Sequence, residues 1–208
     1  RFIEDVIEGV FGEMVGLIHS VEYQARGLPH AHVLGILAAR HKFKTTEDID
    51  RVICAEIPPA GALQQLVLRF MHHGPCGDVN PQASCMMEGK CSKHYPKSFS
   101  DETIWDSSMN YPVYRRRRVD NLHPWFETEY RPHSTSETTT TINNSWIVPY
   151  NPFLLKKYQM HINVEMCNTA MAAKYLFKYI TKGPDRAMVQ VQSDNGKENN
   201  EIQQYQDL

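Results

Sequence analysis

The stretch Glu22-Tyr-Gln-Ala-Arg-Gly-Leu-Pro-His-Ala-His32 decides how the rest of the chain is read. Residues 16–24 (GLIHSVEYQ) have strand composition, Arg26-Gly27 makes a turn, and residues 30–37 (HAHVLGIL) read as a second strand. The pair is expected to form an antiparallel hairpin with an irregular start at Pro29. Side chains at i and i+2 of a strand project from the same face. His30 and His32 are therefore presented side by side, with Glu22 and Gln24 sharing a face of the strand before. Two neutral imidazoles and one oxygen donor can hold a divalent ion and leave positions open for substrate. Either Glu22 or Gln24 can supply the oxygen.

Outward from this hairpin, helical and extended patterns alternate. Apolar Phe2, Ile3, Val6, Ile7, Val10 and Phe11 recur at helical spacing, which predicts an amphipathic helix over residues 1–15. Thr45-Thr46-Glu47-Asp48 is a helix-start signature, so a short helix is expected over 47–56. A further helix is expected over 61–72, and another over 151–158. Residues 160–166 (MHINVEM) alternate as a strand. Asn168-Thr169 opens a strong helical pattern, AMAAKYLFKYITK, closed by Gly183-Pro184. The polar stretch 134–144 reads as a loop.

Composition sets the class. Hydrophobic residues make up 41% of the 208, enough for a full core, and no apolar stretch approaches the roughly 20 residues of a membrane span. The formal net charge of -2 does not announce a nucleic-acid partner. The chain begins at Arg1 with no signal-peptide pattern, and is expected to be a piece of a larger protein.

Three local patterns carry chemistry. In the last predicted helix Tyr175 and Tyr179 are four apart and share a face. A tyrosine phenolate can attack a phosphodiester and form a covalent bond to DNA. Lys174, Lys178 and Lys182 lie beside these tyrosines and can balance phosphate charge. Taken alone, the two tyrosines read as an aromatic core stripe. Second, Cys76, Cys85, Cys91 and His94 follow the spacing C-x8-C-x5-C-x2-H within a Gly- and Pro-rich region of about 72–133. Three thiolates and an imidazole make a closed tetrahedral zinc site, and His73 can replace His94. Third, Arg115-Arg116-Arg117-Arg118 follows Tyr111-Pro-Val-Tyr114. Guanidiniums bind phosphates and aromatics stack on bases, so the run is a candidate DNA contact, with at most alternate arginines facing one side.

The ordered set EYQARGLPHAHVLGIL (22–37), HHGPCG (72–77), CMMEGKCSKHYPK (85–97), YPVYRRRR (111–118), WIVPYNPFLLKKYQMHINVEMC (146–167) and AAKYLFKYITKGPDRA (172–187) resembles the Rep endonuclease domain of Helitron transposases. The resemblance spans residues 1 to about 190, and none of these motifs departs from the family's. It implies that His30-Ala31-His32 is the HUH motif (histidine, hydrophobic residue, histidine). It implies too that Tyr175 and Tyr179 are the catalytic pair, with Lys178 between them. Related viral Rep proteins place a Glu on the neighbouring strand, which favours Glu22 over Gln24.

The fold implied is α+β, a central antiparallel sheet flanked by helices as in Rep and relaxase domains; from its own spacing, the Cys/His-rich stretch is expected as a zinc-stapled insertion. The expected domain covers 1–190 and leaves 191–208 as a polar tail or linker. The activity implied is nicking and joining of single-stranded DNA through a 5′-phosphotyrosine, with Mg²⁺ or Mn²⁺; structural Zn²⁺ is expected separately, from the cysteine spacing. A fused helicase domain and a nuclear location are implied with it. Two rivals remain at this point. One is a catalytically inactive, zinc-containing DNA-binding module derived from a transposon. The other is a metal-dependent hydrolase, which needs further His and Asp ligands that the chain does not clearly show.

Overall fold

The computed structural model describes residues 1–23, 29–74, 76–106, 108–130, 139–167, 191–192 and 198–199. The chain divides into two compact units: Arg1–Gly16 with Ile36–Thr169, and Leu17–Gly35 with Ala170–Leu208. The architecture is mixed α and β with small sheets. Among the described residues the strands pair in twos, and no larger central sheet is formed.

The N-terminal helical pattern is real but short. Helix α1 (Phe2–Asp5) runs into a π-helical turn over Val6–Val10. The pattern stops there because Gly9 takes φ 115°, a conformation that is cheap only for glycine. Strand β1 (Met14–Tyr23) and strand β2 (Pro29–Leu37) then pair as a two-stranded sheet. Proline opens β2, a position where its missing N–H removes no interior ladder bond.

Helix α2 (Thr46–Val52) begins with a full capping box. The Asp48 N–H donates to Thr45 Oγ1 at 3.2 Å, and the Thr45 N–H donates to Asp48 Oδ2 at 3.2 Å. It ends at Val52, four residues before the expected boundary, as Ile53 turns extended. Helix α3 (Ala62–Phe70) packs against helix α4 (Pro152–Tyr158). Asn151 caps α4 through Oδ1, which accepts from the Leu154 N–H at 2.9 Å, and Pro152 sits at the first helical position.

The organising element of the first unit is the run Trp146-Ile-Val-Pro-Tyr150, which leaves a short 3-10 turn (Asn144–Trp146) and becomes extended at Ile147. Its two ends pair with distant parts of the chain. Cys54 and Tyr150 exchange two backbone hydrogen bonds of 2.8 Å each. The Val148 N–H donates to Met71 O at 2.7 Å, and the His73 N–H donates to Trp146 O at 2.8 Å. Ile57, Val67, Met71, Ile142, Ile147, Val148, Tyr150 and Leu155 form the larger core around this run. A second cluster joins Ile49, Ile53, Ala55 and Tyr114, with Val164 and Met166 packed on it. Residues 160–166, expected as a strand, join no sheet among the described residues, and Ile162 is buried. Val164 instead donates its N–H to Pro149 O at 3.0 Å.

Strand β3 (Met86–Met87) and strand β4 (Lys90–Cys91) form a small hairpin. Strand β5 (Glu127–Tyr130) pairs antiparallel with strand β6 (Thr140–Asn143). The polar stretch expected as a loop therefore ends in a strand. Its threonines suit a pleated surface, and Ile142 is buried in the larger core. In the second unit strand β7 (Val191–Gln192) pairs antiparallel with strand β8 (Glu198–Asn199). No helix among the described residues is long and apolar enough to cross a membrane.

Candidate functional site

His30 and His32 both lie on β2, two residues apart and so on one face of the strand. His30 is exposed and His32 half-buried. Glu22 lies on β1, the strand paired with β2. Gln24, Lys174, Tyr175, Lys178, Tyr179 and Lys182 lie outside the described residues. An N,N,O donor set of two imidazoles and a carboxylate or amide fits a divalent ion of the Mg²⁺ or Mn²⁺ class through its oxygen and first-row metals through its nitrogens.

A second donor set is fully described. His73, Cys76, Cys85 and Cys91 bring one ligand atom each to within 4.8 Å of one another, and this group can hold a metal ion such as zinc. His73 Nε2 lies 3.3 Å from Cys91 Sγ. His94, the nitrogen first expected from the C-x2-H spacing, is not in the cluster. It sits exposed at φ 56° in the turn after β4, with its N–H bonded to Cys91 O at 2.9 Å.

Local chemistry explains how the four ligands meet. His73 is held by its backbone bond to Trp146 O, at the edge of the larger core. Cys76 is followed by a turn in which the Asn80 N–H donates to Gly77 O at 3.1 Å. The β3–β4 hairpin turns through Glu88 (φ 50°) and Gly89 (φ 75°), the double positive φ of a two-residue hairpin loop. It brings Cys91 opposite Met86, beside Cys85. The Tyr95 ring stacks on the His73 imidazole with centroids 4.3 Å apart and planes at 16°.

The titration of these groups reflects the crowding. Burial and the neighbouring Cys85 and Cys91 thiols push the Cys76 thiol up to about 12. Burial also pushes Cys91 up, but N–H donation from Tyr95 and Lys93 and contacts with Cys85 and Cys76 outweigh it and hold that thiol below its ordinary value. Burial, then the nearby Lys97 and Lys93 charges, lowers His73 and favours the neutral, ligating imidazole. The other two cysteines take no part. Cys54 packs against the larger core, where burial raises its thiol pKa, and Cys167 is half-buried.

The arginine run has partners within the protein that its sequence does not name. Arg116 is only 4% exposed, and its guanidinium donates to the carbonyls of Ala55, Asn144 and Ile147. Arg117 forms a bidentate pair with buried Glu56, Nε to Oε1 at 2.9 Å and Nη2 to Oε2 at 2.6 Å, and stacks over Phe126. Arg115 faces Asp50 and Glu56 at 3.4 and 3.7 Å. Only Arg118 of the four is exposed, lying over the Phe99 ring at 4.3 Å. Arg116 and Arg117 are paired within the protein, and Arg115 lies half-exposed beside Asp50 and Glu56, which gives these three a structural role.

Sequence reasoning missed the hub that makes this possible. Asn144 is fully buried, accepts from the Ile57 N–H at 2.7 Å and donates to Arg117 O at 2.9 Å. Its one local signal is an Asn-Asn-Ser-Trp turn ahead of an apolar run, and that signal does not name a partner 87 residues away.

The family description "Helitron helicase-like domain at N-terminus" matches residues 1–35. No curated protein matches the chain. The matched segment runs from α1 into β2 and includes both His30 and His32, so the part of the chain that carries the histidine strand is similar to a Helitron domain.

Proposed function

We propose that this chain is a Rep-type endonuclease of the two-tyrosine HUH class, which nicks and joins single-stranded DNA during rolling-circle transposition in the nucleus. The observation that carries the reading is the His30-Ala31-His32 strand, paired with the strand of Glu22 and lying inside the segment similar to a Helitron domain. The ordered motifs through residue 187 support it by resemblance.

His30 and His32, with Glu22 or Gln24, would hold Mg²⁺ or Mn²⁺, which polarises the scissile phosphate when bound. Tyr175 or Tyr179 attacks the phosphorus in line. A phosphorus–tyrosine oxygen bond forms, the bond to the 3′-oxygen breaks, and that oxygen leaves as a 3′-hydroxyl. Lys178, with Lys174 and Lys182, offsets phosphate charge. The ester's energy is retained, so a second 3′-hydroxyl can attack and rejoin a strand without ATP. Two tyrosines allow two transfers before the first end is released. Unwinding falls to a helicase domain in the same protein, in keeping with the domain description.

The test is a covalent adduct. Labelled single-stranded DNA with Mn²⁺ should give a protein–DNA species that survives a denaturing gel. Tyr175→Phe and Tyr179→Phe should each reduce it, and the double variant should abolish it. DNA binding with no adduct on any DNA end tried would favour an inactive DNA-binding module instead. Cleavage without an adduct would point to a metal-dependent hydrolase.

A further inference from the structure

We infer that His73, Cys76, Cys85 and Cys91 bind one zinc ion in a closed structural site, with His73 Nε2 and not His94 as the nitrogen donor. This inference does not rest on the nicking reading and would stand if that reading failed.

Ligand type selects the metal. Three sulfurs and one imidazole suit a borderline-soft ion and exclude the hard ions of oxygen sites. Zinc–sulfur bonds of about 2.3 Å and zinc–nitrogen bonds of about 2.0 Å place tetrahedral ligands roughly 3.4 to 3.8 Å apart. The 3.3 Å between His73 Nε2 and Cys91 Sγ is close to such an edge, and the rest of the set, all within 4.8 Å, needs only a small contraction to close on an ion. All five cysteines are unbridged, and three thiols converging on an imidazole cannot be paired off as disulfides.

Four protein ligands fill a tetrahedron, so no position is left for water or substrate, and the site is structural. Its surroundings agree. Cys76 and Cys91 are buried, Tyr95 covers the His73 ring, and His73 is tied to the core through Trp146. The ion would fasten the β3–β4 hairpin and the turn after Cys76 to the Trp146–Tyr150 run. Otherwise this stretch has little apolar area of its own to bury: Val79 and Met87 are both more than 60% exposed.

The test uses the 208-residue chain, purified without added metal and then reconstituted with Zn²⁺ or Co²⁺. One zinc per chain is expected by elemental analysis. The cobalt form should show sulfur-to-cobalt charge transfer and the intense visible bands of tetrahedral Co²⁺. Three thiols should become reactive to a disulfide reagent only after chelation. His94→Asn should leave zinc affinity and the cobalt spectrum unchanged, and His73→Asn should weaken zinc binding by at least about tenfold. Absence of zinc uptake, a weak octahedral cobalt spectrum, or loss of binding in His94→Asn with retention in His73→Asn would each overturn the assignment. If His73→Asn does not fold, the wild-type and His94→Asn cobalt spectra decide.

Discussion

Replacing Arg116 with methionine tests whether the arginine run is structural. The guanidinium is 4% exposed and donates to Asn144 O at 2.8 Å, Ile147 O at 2.5 Å and, more weakly, Ala55 O at 3.3 Å. Two strong bonds from a charged donor contribute roughly 1.5–3 kcal/mol each, and their loss leaves buried carbonyls unpaired. Methionine keeps most of the side-chain volume and removes the cost of burying a charge, which returns part of that loss. The net destabilisation should be about 3 kcal/mol, a large share of the roughly 5–15 kcal/mol of an ordinary domain. With a urea slope of about 2 kcal/mol per molar, the midpoint should fall by about 1.5 M at unchanged slope. Arg116→Lys should lose less than Arg116→Met, because all three carbonyls converge on the one nitrogen Nη1 and an ammonium brings three N–H donors at a slightly shorter reach. Arg118→Met, on the exposed arginine, should stay within about 0.5 kcal/mol of the parent. A midpoint for Arg116→Met no lower than that of Arg118→Met would refute the structural assignment, and salt-dependent loss of DNA affinity in its place would support a phosphate-binding role.

Glu56→Ala should cost about 3 kcal/mol in the same assay, since it leaves the Arg117 fork and its N–H without their acceptor, and Glu56→Gln should cost less because one oxygen remains. Leu155→Ala, in the larger core and fully buried, should cost roughly 2–5 kcal/mol, measured by thermal or urea unfolding. Thr45→Ala should cost about 1 kcal/mol through loss of the α2 cap, and Thr45→Ser should recover it. Asp5 accepts from the Lys157 ammonium at 2.5 Å and from the Tyr158 hydroxyl at 2.6 Å, and these bonds hold its carboxyl below the usual range. A carboxyl depressed in the folded state stabilises above its unfolded pKa of about 3.9 and loses that contribution as pH falls through the folded value. The melting-temperature gap between the parent and Asp5→Asn should therefore be steady near neutrality and close below about pH 4; a gap that persists in acid would contradict the pairing.

Local features were legible wherever their causes are local. The α2 start follows from Thr45 and Asp48, the α4 start from Asn151 and Pro152, and the β1–β2 pair from two neighbouring runs of strand composition. The N-terminal helix was legible as a helix but not in length, because Gly9 interrupts an apolar pattern that runs on past it. The spacing of the three cysteines announced a metal-binding group, and the competition between His73 and His94 stayed open because both are near enough along the chain.

By itself, then, the sequence determined the helix caps, the histidine strand and the supply of soft ligands, since each depends on residues within a turn or a hairpin. Tertiary structure alone decided which histidine joins the cysteines and where four consecutive positive charges go. His73 is drawn in by Trp146, 73 positions away, while Arg116 and Arg117 are claimed by Ala55, Glu56, Asn144 and Ile147. A buried guanidinium must find acceptors wherever the fold supplies them, and which carbonyls those are is fixed by packing between distant segments.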